Sequence, residues 1–476
     1  MAIKWQNILL QIVSYTAVIA LVLLNAKNSF FWDTVQLASA HANYYYSKNF
    51  SELFLPIDID SGHIPAFGMY IALVWKLFGR TLEVSHLAML PFAIGIVWQL
   101  YKICVKFIPQ QYTGIALLLI LADPSLLSQI TLVSPDVALI FFLFLAFNAI
   151  LDNKRWILSI GIFLLFMTSM RGMMVSFCLL LLDIYCNTNF KTSKKGIVQH
   201  LLKRSLIYLP AMLLFILFNG YHYIVKGWIG YHKDSPWANC FEPIESVKDF
   251  FFNVGLYGWR LLDFGRIIIW LILFLLILIY KKPIFKTRNN ILLCFFCLTL
   301  MLFLPLNMLW AKNLMGHRYF LPVYLMVALF CSTILFSDFV SQRIKYPLAT
   351  IWLVVLISGN LWIYPPKVAQ GWDSTLAHLN YYQLRANAME YISSKNIDSK
   401  DVQSFFPNTA TFDRIDLNND FRNFDNFDGT SAYIMHSNVY NVNDEDYIKI
   451  SDAYEIEKRF ENRGVVIDIL KKRNKK

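Results

Sequence analysis

Four places in this chain hold residues able to move a proton or grip a phosphate. The first is Asp33, closing the run Asn28-Ser29-Phe30-Phe31-Trp32-Asp33. A carboxylate behind three aromatics at a membrane surface is partly desolvated, which raises its basicity and suits a general base. It equally fits a cap for a helix starting at Thr34. The second is the acidic turn Asp58-Ile59-Asp60-Ser61-Gly62-His63-Ile64-Pro65. Asp58, Asp60 and His63 could bind substrate, or supply a second carboxylate for a metal or a sugar hydroxyl. They also fit a solvated turn before a helix that opens with Pro65, and their spacing selects no metal. The third is Ser134-Pro135-Asp136 together with Arg171, which has no other charge close to it in sequence. Such an arginine faces the outer water or needs a partner, and Asp136 is a candidate. The fourth is Lys312 followed by His317-Arg318-Tyr319. Cations beside an aromatic at an interface suit a lipid phosphate, and would steady that phosphate as a leaving group. Ordinary snorkelling gives the same pattern.

The elements that must position these residues are membrane helices. The 476-residue chain is 57% hydrophobic and 16% charged, against about 25% charged residues in soluble domains. Its net charge of +11 reflects lysines and arginines in short loops between apolar runs, the positive-inside bias, and not a nucleic-acid partner. Most of the seven cysteines lie in apolar runs. Cys294 and Cys297 have redox or zinc spacing but sit within one span, where core packing is the simpler role. There is no disulfide framework. The N-terminus reads as an uncleaved first helix, since no small-x-small cleavage site follows it.

The predicted spans are 6–25, 86–107, 112–130, 136–151, 156–170, 172–185, 206–225, 266–280, 290–310, 320–336 and 348–364. Residues 65–78 form a short apolar helix. If it crossed the membrane, Lys102, Lys106 and Arg155 would face outward. If it lies along the outer surface, they face the cytoplasm, as do Lys191, Lys194, Lys195, Lys203, Arg204, Lys281, Lys282, Lys286, Arg288, Arg343 and Lys345. The charge bias selects the second arrangement. The expected fold is therefore an all-α polytopic bundle of about eleven spans plus outer juxtamembrane helices. Its N-terminus is cytoplasmic, its first outer loop covers 26–85, and an aromatic and charged outer loop runs from Lys226 to Arg266.

Composition changes abruptly after Pro365-Pro366. Residues 365–476 carry no span and read as a small extracytoplasmic α/β domain. An amphipathic helix over 376–396 presents Leu376, Leu379, Tyr382, Met389 and Ile392, and strands are expected at 431–436 and 465–470. No internal repeat, nucleophile motif or Gly-rich phosphate loop is present.

Taken together, these residues resemble the GT-C superfamily of multispanning glycosyltransferases that use polyprenyl-phosphate sugars. The nearest likeness is to bacterial relatives of protein O-mannosyltransferases and the lipid A aminoarabinose transferase. Asp33 stands where the family has an essential acid in its first outer loop. Gly62-His63-Ile64-Pro65 through Trp75-Lys76-Leu77-Phe78-Gly79 is similar to a His-Pro-Pro-Leu…Trp…Leu-Phe-Gly segment, with Ile64 in place of the first proline. Asp123-Pro124-Ser125-Leu126 through Pro135-Asp136 resembles a proline turn followed by an outer Asp. His317-Arg318-Tyr319-Phe320-Leu321-Pro322 resembles a late Arg-Tyr-Leu-Leu-Pro. Thr34 follows Asp33 where a second acid would make a two-carboxylate pair. The likeness covers residues 1–364, not the C-terminal domain.

It implies a bacterial inner-membrane enzyme. A polyprenyl-phosphate sugar enters from the outer leaflet, and Asp33 deprotonates a hydroxyl of a protein, lipid or glycan acceptor, with inversion. His317, Arg318, Tyr319, Arg171 and Lys312 hold phosphate or substrate. No nucleotide sugar is needed, no cofactor is assigned, and a divalent metal is compatible with this chemistry. The rival is a transporter or flippase of lipid-linked saccharides, which would expect charges along a path and repeated halves. A membrane anchor for the soluble domain would not need so many spans.

Overall fold

The computed structural model describes residues 2–188, 193–235, 238–312, 315–365, 368 and 370–473. Lys191, Asn313, Leu314 and Pro366 lie outside the described residues, as do the side chains of Lys4, Lys194 and Cys240. The architecture is a helical bundle followed by a small mixed sheet. Each predicted span overlaps one α-helix or two consecutive ones. Among the described residues, seven helices are long and apolar enough to cross a membrane, or eight if the bent pair Gln110–Leu121 and Pro124–Ile130 is one span. Pro135–Leu151 and Arg155–Thr168 are apolar but shorter. The 14 residues of Arg155–Thr168 rise only about 21 Å, against a hydrocarbon core of about 30 Å. Gln342–Gly359, the eleventh, carries Arg343 in its first turn.

The post of the bundle is Leu321–Leu335, buried along its whole length. A helix that is apolar all round is stable only when enclosed. It packs against Arg288–Phe303, Ile267–Lys286 and Thr113–Leu121, and a 3-10 turn, His317–Phe320, leads into it. Pro135–Leu151 is nearly as buried and packs on Leu90–Phe107 and Arg155–Thr168. Its first turn carries Asp136. Near its other end Asn148 accepts from Lys106 Nζ at 2.9 Å, about 18 Å away along the axis. The acidic site and the ion pairs Lys106–Asp152 and Arg204–Asp183 thus sit at opposite ends of the bundle.

Two expectations change. The predicted straight span 112–130 is bent by 73°. Pro124 starts a new helix there, and Asp123 caps it, accepting from the backbone N–H of Ser125 (2.9 Å) and Leu126 (3.2 Å). The outer loop 226–266 contains a 16-residue helix, Val247–Leu262, opened by a Ser246/Asp249 capping box. Arg266, expected at the loop's outer edge, is buried. It pairs with Asp123 at 2.7 Å and lies 3.8 Å from the Tyr324 ring centre.

The C-terminal sheet consists of β1 (Val402–Ser404), β2 (Asp425–Asn426), β3 (Tyr433–Ser437), β4 (Tyr454–Asn462) and β5 (Val465–Lys472). Its order is β2-β1-β3-β5-β4, parallel across β2-β1-β3 and antiparallel across β3-β5-β4. The helix Leu379–Ser394 covers β5 and β4, burying Tyr381, Leu384, Ala388 and Ile392. That face is turned slightly from the predicted one, and Tyr382 and Met389 are only partly buried. A short helix, Phe412–Asp416, docks on the first loop. Phe30 N–H donates to the Ile415 carbonyl (2.9 Å), Ser39 Oγ donates to that of Arg414 (2.5 Å), and Arg80 pairs with Asp413.

Candidate active site

Arg318 is the hub of the acidic end. Its Nη2 pairs with Asp33, its Nε with Asp373 at 3.0 Å, and its Nη1 lies 3.5 Å from Asp136. Arg171 pairs with the other oxygen of Asp136 and sits 4.4 Å from the centre of the Tyr319 ring. Five elements meet here. They are the turn after the first helix (Asp33), the start of Pro135–Leu151 (Asp136), and the start of Met170–Asn187 (Arg171). The turn before the central helix adds Arg318 and Tyr319, and a 3-10 turn, Trp372–Ser374, adds Asp373. Two guanidinium groups are thus enclosed by three carboxylates.

A cavity of about 330 Å³ opens on this cluster, lined by Asp33, His41, His63, Arg171, Arg318 and Tyr319, with Ile64, Pro65, Phe67, Met308 and Trp310 as apolar wall. Asp136 and Asp373 do not line it. Their side chains are 3% and 7% exposed, against 18% for Asp33. Asp33 is therefore the carboxylate able to reach a bound hydroxyl. Burial pushes the Asp373 carboxyl above the usual range, against the pull of Arg318, and Asp33 and Asp136 add to the rise.

His63 lines the cavity as a neutral ring. Burial pushes its pKa down to about 4. Its Nδ1–H donates to the Ser61 carbonyl at 3.0 Å, leaving Nε2 as an acceptor 3.4 Å from the Ser61 hydroxyl. His41 is held neutral in the same way, also near 4, and its Nε2–H donates to the Ile59 carbonyl at 2.8 Å. A neutral histidine cannot act as a phosphate cation, but it can orient a sugar hydroxyl.

Several residues expected at the site stand elsewhere. Asp58 is exposed on its turn. Asp60 is buried inside the turn, accepting from Gly62 N–H (2.8 Å) and facing His222 Nε2 (3.1 Å). Lys312 is 43% exposed and pairs with Glu245 (2.5 Å) and Glu242 (3.5 Å). His317 is fully buried, 2.5 Å from Asp263 and 4.5 Å from the Phe264 ring centre, and does not line the cavity. In a 3-10 turn, adjacent side chains point in different directions, so His317 and Arg318 face separate clusters. Sequence reasoning missed Asp373 and His41. Asp373 had a signal: it is the first acid after the last predicted span, and it repeats the Trp-Asp pair of Trp32-Asp33. Among the described residues no three His, Cys, Asp or Glu side chains are grouped to hold a metal ion. The three carboxylates converge on a guanidinium instead.

The described fold, a polytopic bundle with a buried central helix and a small C-terminal α/β unit, is shared with ArnT from Cupriavidus metallidurans, solved in the apo state and bound to undecaprenyl phosphate. The apo structure matches with TM-score 0.55 at 9% sequence identity. The undecaprenyl phosphate complex matches with TM-score 0.53 at 10% identity. Each match covers 98% of both chains. No protein-family model and no curated protein matches the sequence.

Proposed function

We propose that the chain is an integral-membrane glycosyltransferase that moves a sugar from a polyprenyl-phosphate donor to an acceptor hydroxyl at the outer side of a bacterial inner membrane. In this reading residues 1–364 form the catalytic membrane domain and 365–476 an extracytoplasmic domain, with the N-terminus in the cytoplasm. The carrying observation is that Asp33, alone of the three carboxylates around Arg318, lines the wall of a 330 Å³ cavity while held by that arginine. Support comes from a fold shared, end to end, with an enzyme solved with undecaprenyl phosphate.

Asp33 accepts the proton of the acceptor hydroxyl, whose oxygen attacks the anomeric carbon. The new C–O bond forms as the bond to the phosphate oxygen breaks, with inversion, and polyprenyl phosphate departs carrying the electron pair. A guanidinium has five N–H donors. Arg318 faces carboxylates on three sides, whereas among the described residues Arg171 pairs through Nη1 alone. Arg171, backed by Tyr319, is therefore the principal phosphate ligand, and Arg318 chiefly orients Asp33. Charge placed in advance against a developing phosphate anion lowers the barrier. His63 and His41 orient sugar hydroxyls.

The test is purified wild type and Asp33→Asn incubated with a polyprenyl-phosphate hexose and candidate protein, lipid and glycan acceptors. Wild type is expected to transfer, and the variant to be slower by about 100-fold or more. Equal turnover would remove Asp33 from the mechanism.

A further inference from the structure

A second cleft, of about 100 Å³, is lined by the sequence neighbours of two carboxylates of the cluster, Trp32 beside Asp33 and Trp372 beside Asp373. Its walls are the rings of Trp32, Tyr364, Trp372, Tyr440 and Tyr447, with Asn441 at the edge. The sequence holds the dipeptide Trp-Asp twice, at Trp32-Asp33 and Trp372-Asp373. In both, the Asp holds Arg318 and the Trp lines this cleft. One wall comes from the bundle and the other from the loop after β3, so the cleft exists only because the C-terminal unit docks here.

Trp32 carries two marks of a binding residue. Its φ is +49°, a left-handed conformation that a bulky L residue rarely adopts and that clusters at functional sites. Its indole Nε1–H is buried with no partner among the described residues, a state that is costly unless a ligand or water accepts the bond. Other polar groups of the wall are committed to the protein. Trp372 Nε1–H donates to the Asn438 carbonyl (3.0 Å), Asn408 donates to the Tyr440 hydroxyl (2.5 Å), and the Tyr364 hydroxyl donates to Asp263. These bonds hold the rings as a preformed wall. Among the described residues the buried Trp32 N–H has no partner, and the Asn441 amide is exposed.

We propose that this cleft binds one pyranose ring of the acceptor, next to the ring that receives the sugar; the word acceptor rests on the transferase reading above. Aromatic faces carry negative quadrupole density that attracts the polarised C–H groups of a sugar face, while the indole N–H and the amide meet hydroxyl oxygens. An acyl chain would leave the Trp32 donor unpaired. The volume also falls well below the roughly 300–1,000 Å³ of pockets that enclose larger ligands. Because each tryptophan is bonded in sequence to a carboxylate on Arg318, a ring seated in the cleft fixes the backbone that carries Asp33.

Saturation-transfer NMR on the full-length protein in nanodiscs tests this, with maltose and the N-acetylglucosamine disaccharide as probes and a brominated fatty acid as competitor. At least one disaccharide is expected to bind wild type and Asp33→Asn equally. In Trp32→Phe/Asn441→Ala, with unchanged thermal midpoint, binding is expected to weaken about tenfold. Absence of disaccharide binding, unchanged binding by the double variant, or displacement by the fatty acid alone would overturn the subsite. Saccharide binding without transfer from any polyprenyl donor would remove the transferase reading and leave the cleft standing. Transfer with a normal acceptor KM in the double variant would remove the cleft alone.

Discussion

At the scale of residues, the site is a charge balance around Arg318. A planar guanidinium holds five N–H donors in a fixed fork spread over three edges, whereas a lysine ammonium is a single point of charge that cannot occupy all of those positions. Arg318→Lys is therefore expected to leave at least one buried carboxylate unpaired, a loss of about 3–5 kcal/mol for a buried pair. A thermal melt should show the lower midpoint, and a transfer assay a rate down by about 100-fold. Lys312→Ala provides the contrast. Its ammonium pairs with two glutamates at the surface, away from the cavity, so transfer should stay within about twofold of wild type. A large loss from Lys312→Ala would return that residue to the phosphate site. Asp33, Asp136, Arg171 and Arg318 could be nominated from type and position. That Arg318 faces the cavity while its neighbour His317 faces Asp263 was not legible, because one residue of helical phase separates the two directions.

At the scale of elements, the floor of the cavity depends on close backbone contacts. Gly62 has φ +73°, and a Cβ there would stand 1.6 Å from the Gly230 carbonyl oxygen. Gly62→Ala must push the 227–235 loop off the turn that holds Asp60 and His63. It is expected to lower stability by about 1–3 kcal/mol, read as a fall in thermal midpoint; an unchanged midpoint would show the contact is dispensable. Acid acts on the same elements. His41 and His378 are buried outside the spans and held neutral, each with its pKa pushed down to about 4 by burial. Below pH 6.5 the unfolded chain takes up protons that the folded chain refuses, so stability falls as pH drops from 6.5 and levels near 4. The loss is at most about 3 kcal/mol for each histidine. Melts of the protein in nanodiscs across that range should show it, and a flat midpoint would count against it. The helices were legible from apolar runs, whereas the bend at Asp123 became clear only with Arg266 in place, since either residue alone suits a simple interfacial site.

At the scale of the whole molecule, the proposed function requires the acidic end to face outward. A membrane-impermeant maleimide should label Lys76→Cys and Asn441→Cys in intact spheroplasts, and Lys286→Cys only after lysis. Labelling of position 76 from the cytoplasmic side alone would invert the topology. Hydropathy, charge bias and aromatic anchors are properties of short segments, so the sequence by itself determined that this is a multispanning helical protein, roughly where each helix lies, and which outer acids and arginines were worth weighing. Which of those residues meet is a matter of contacts across hundreds of positions. Only the packed bundle brought Asp373 to Arg318, took Lys312, His317, Asp58 and Asp60 out of the cavity, and built a second cleft from two distant Trp-Asp pairs. Burial and long-range pairing, which select among locally equivalent charges, arise only when the chain is folded.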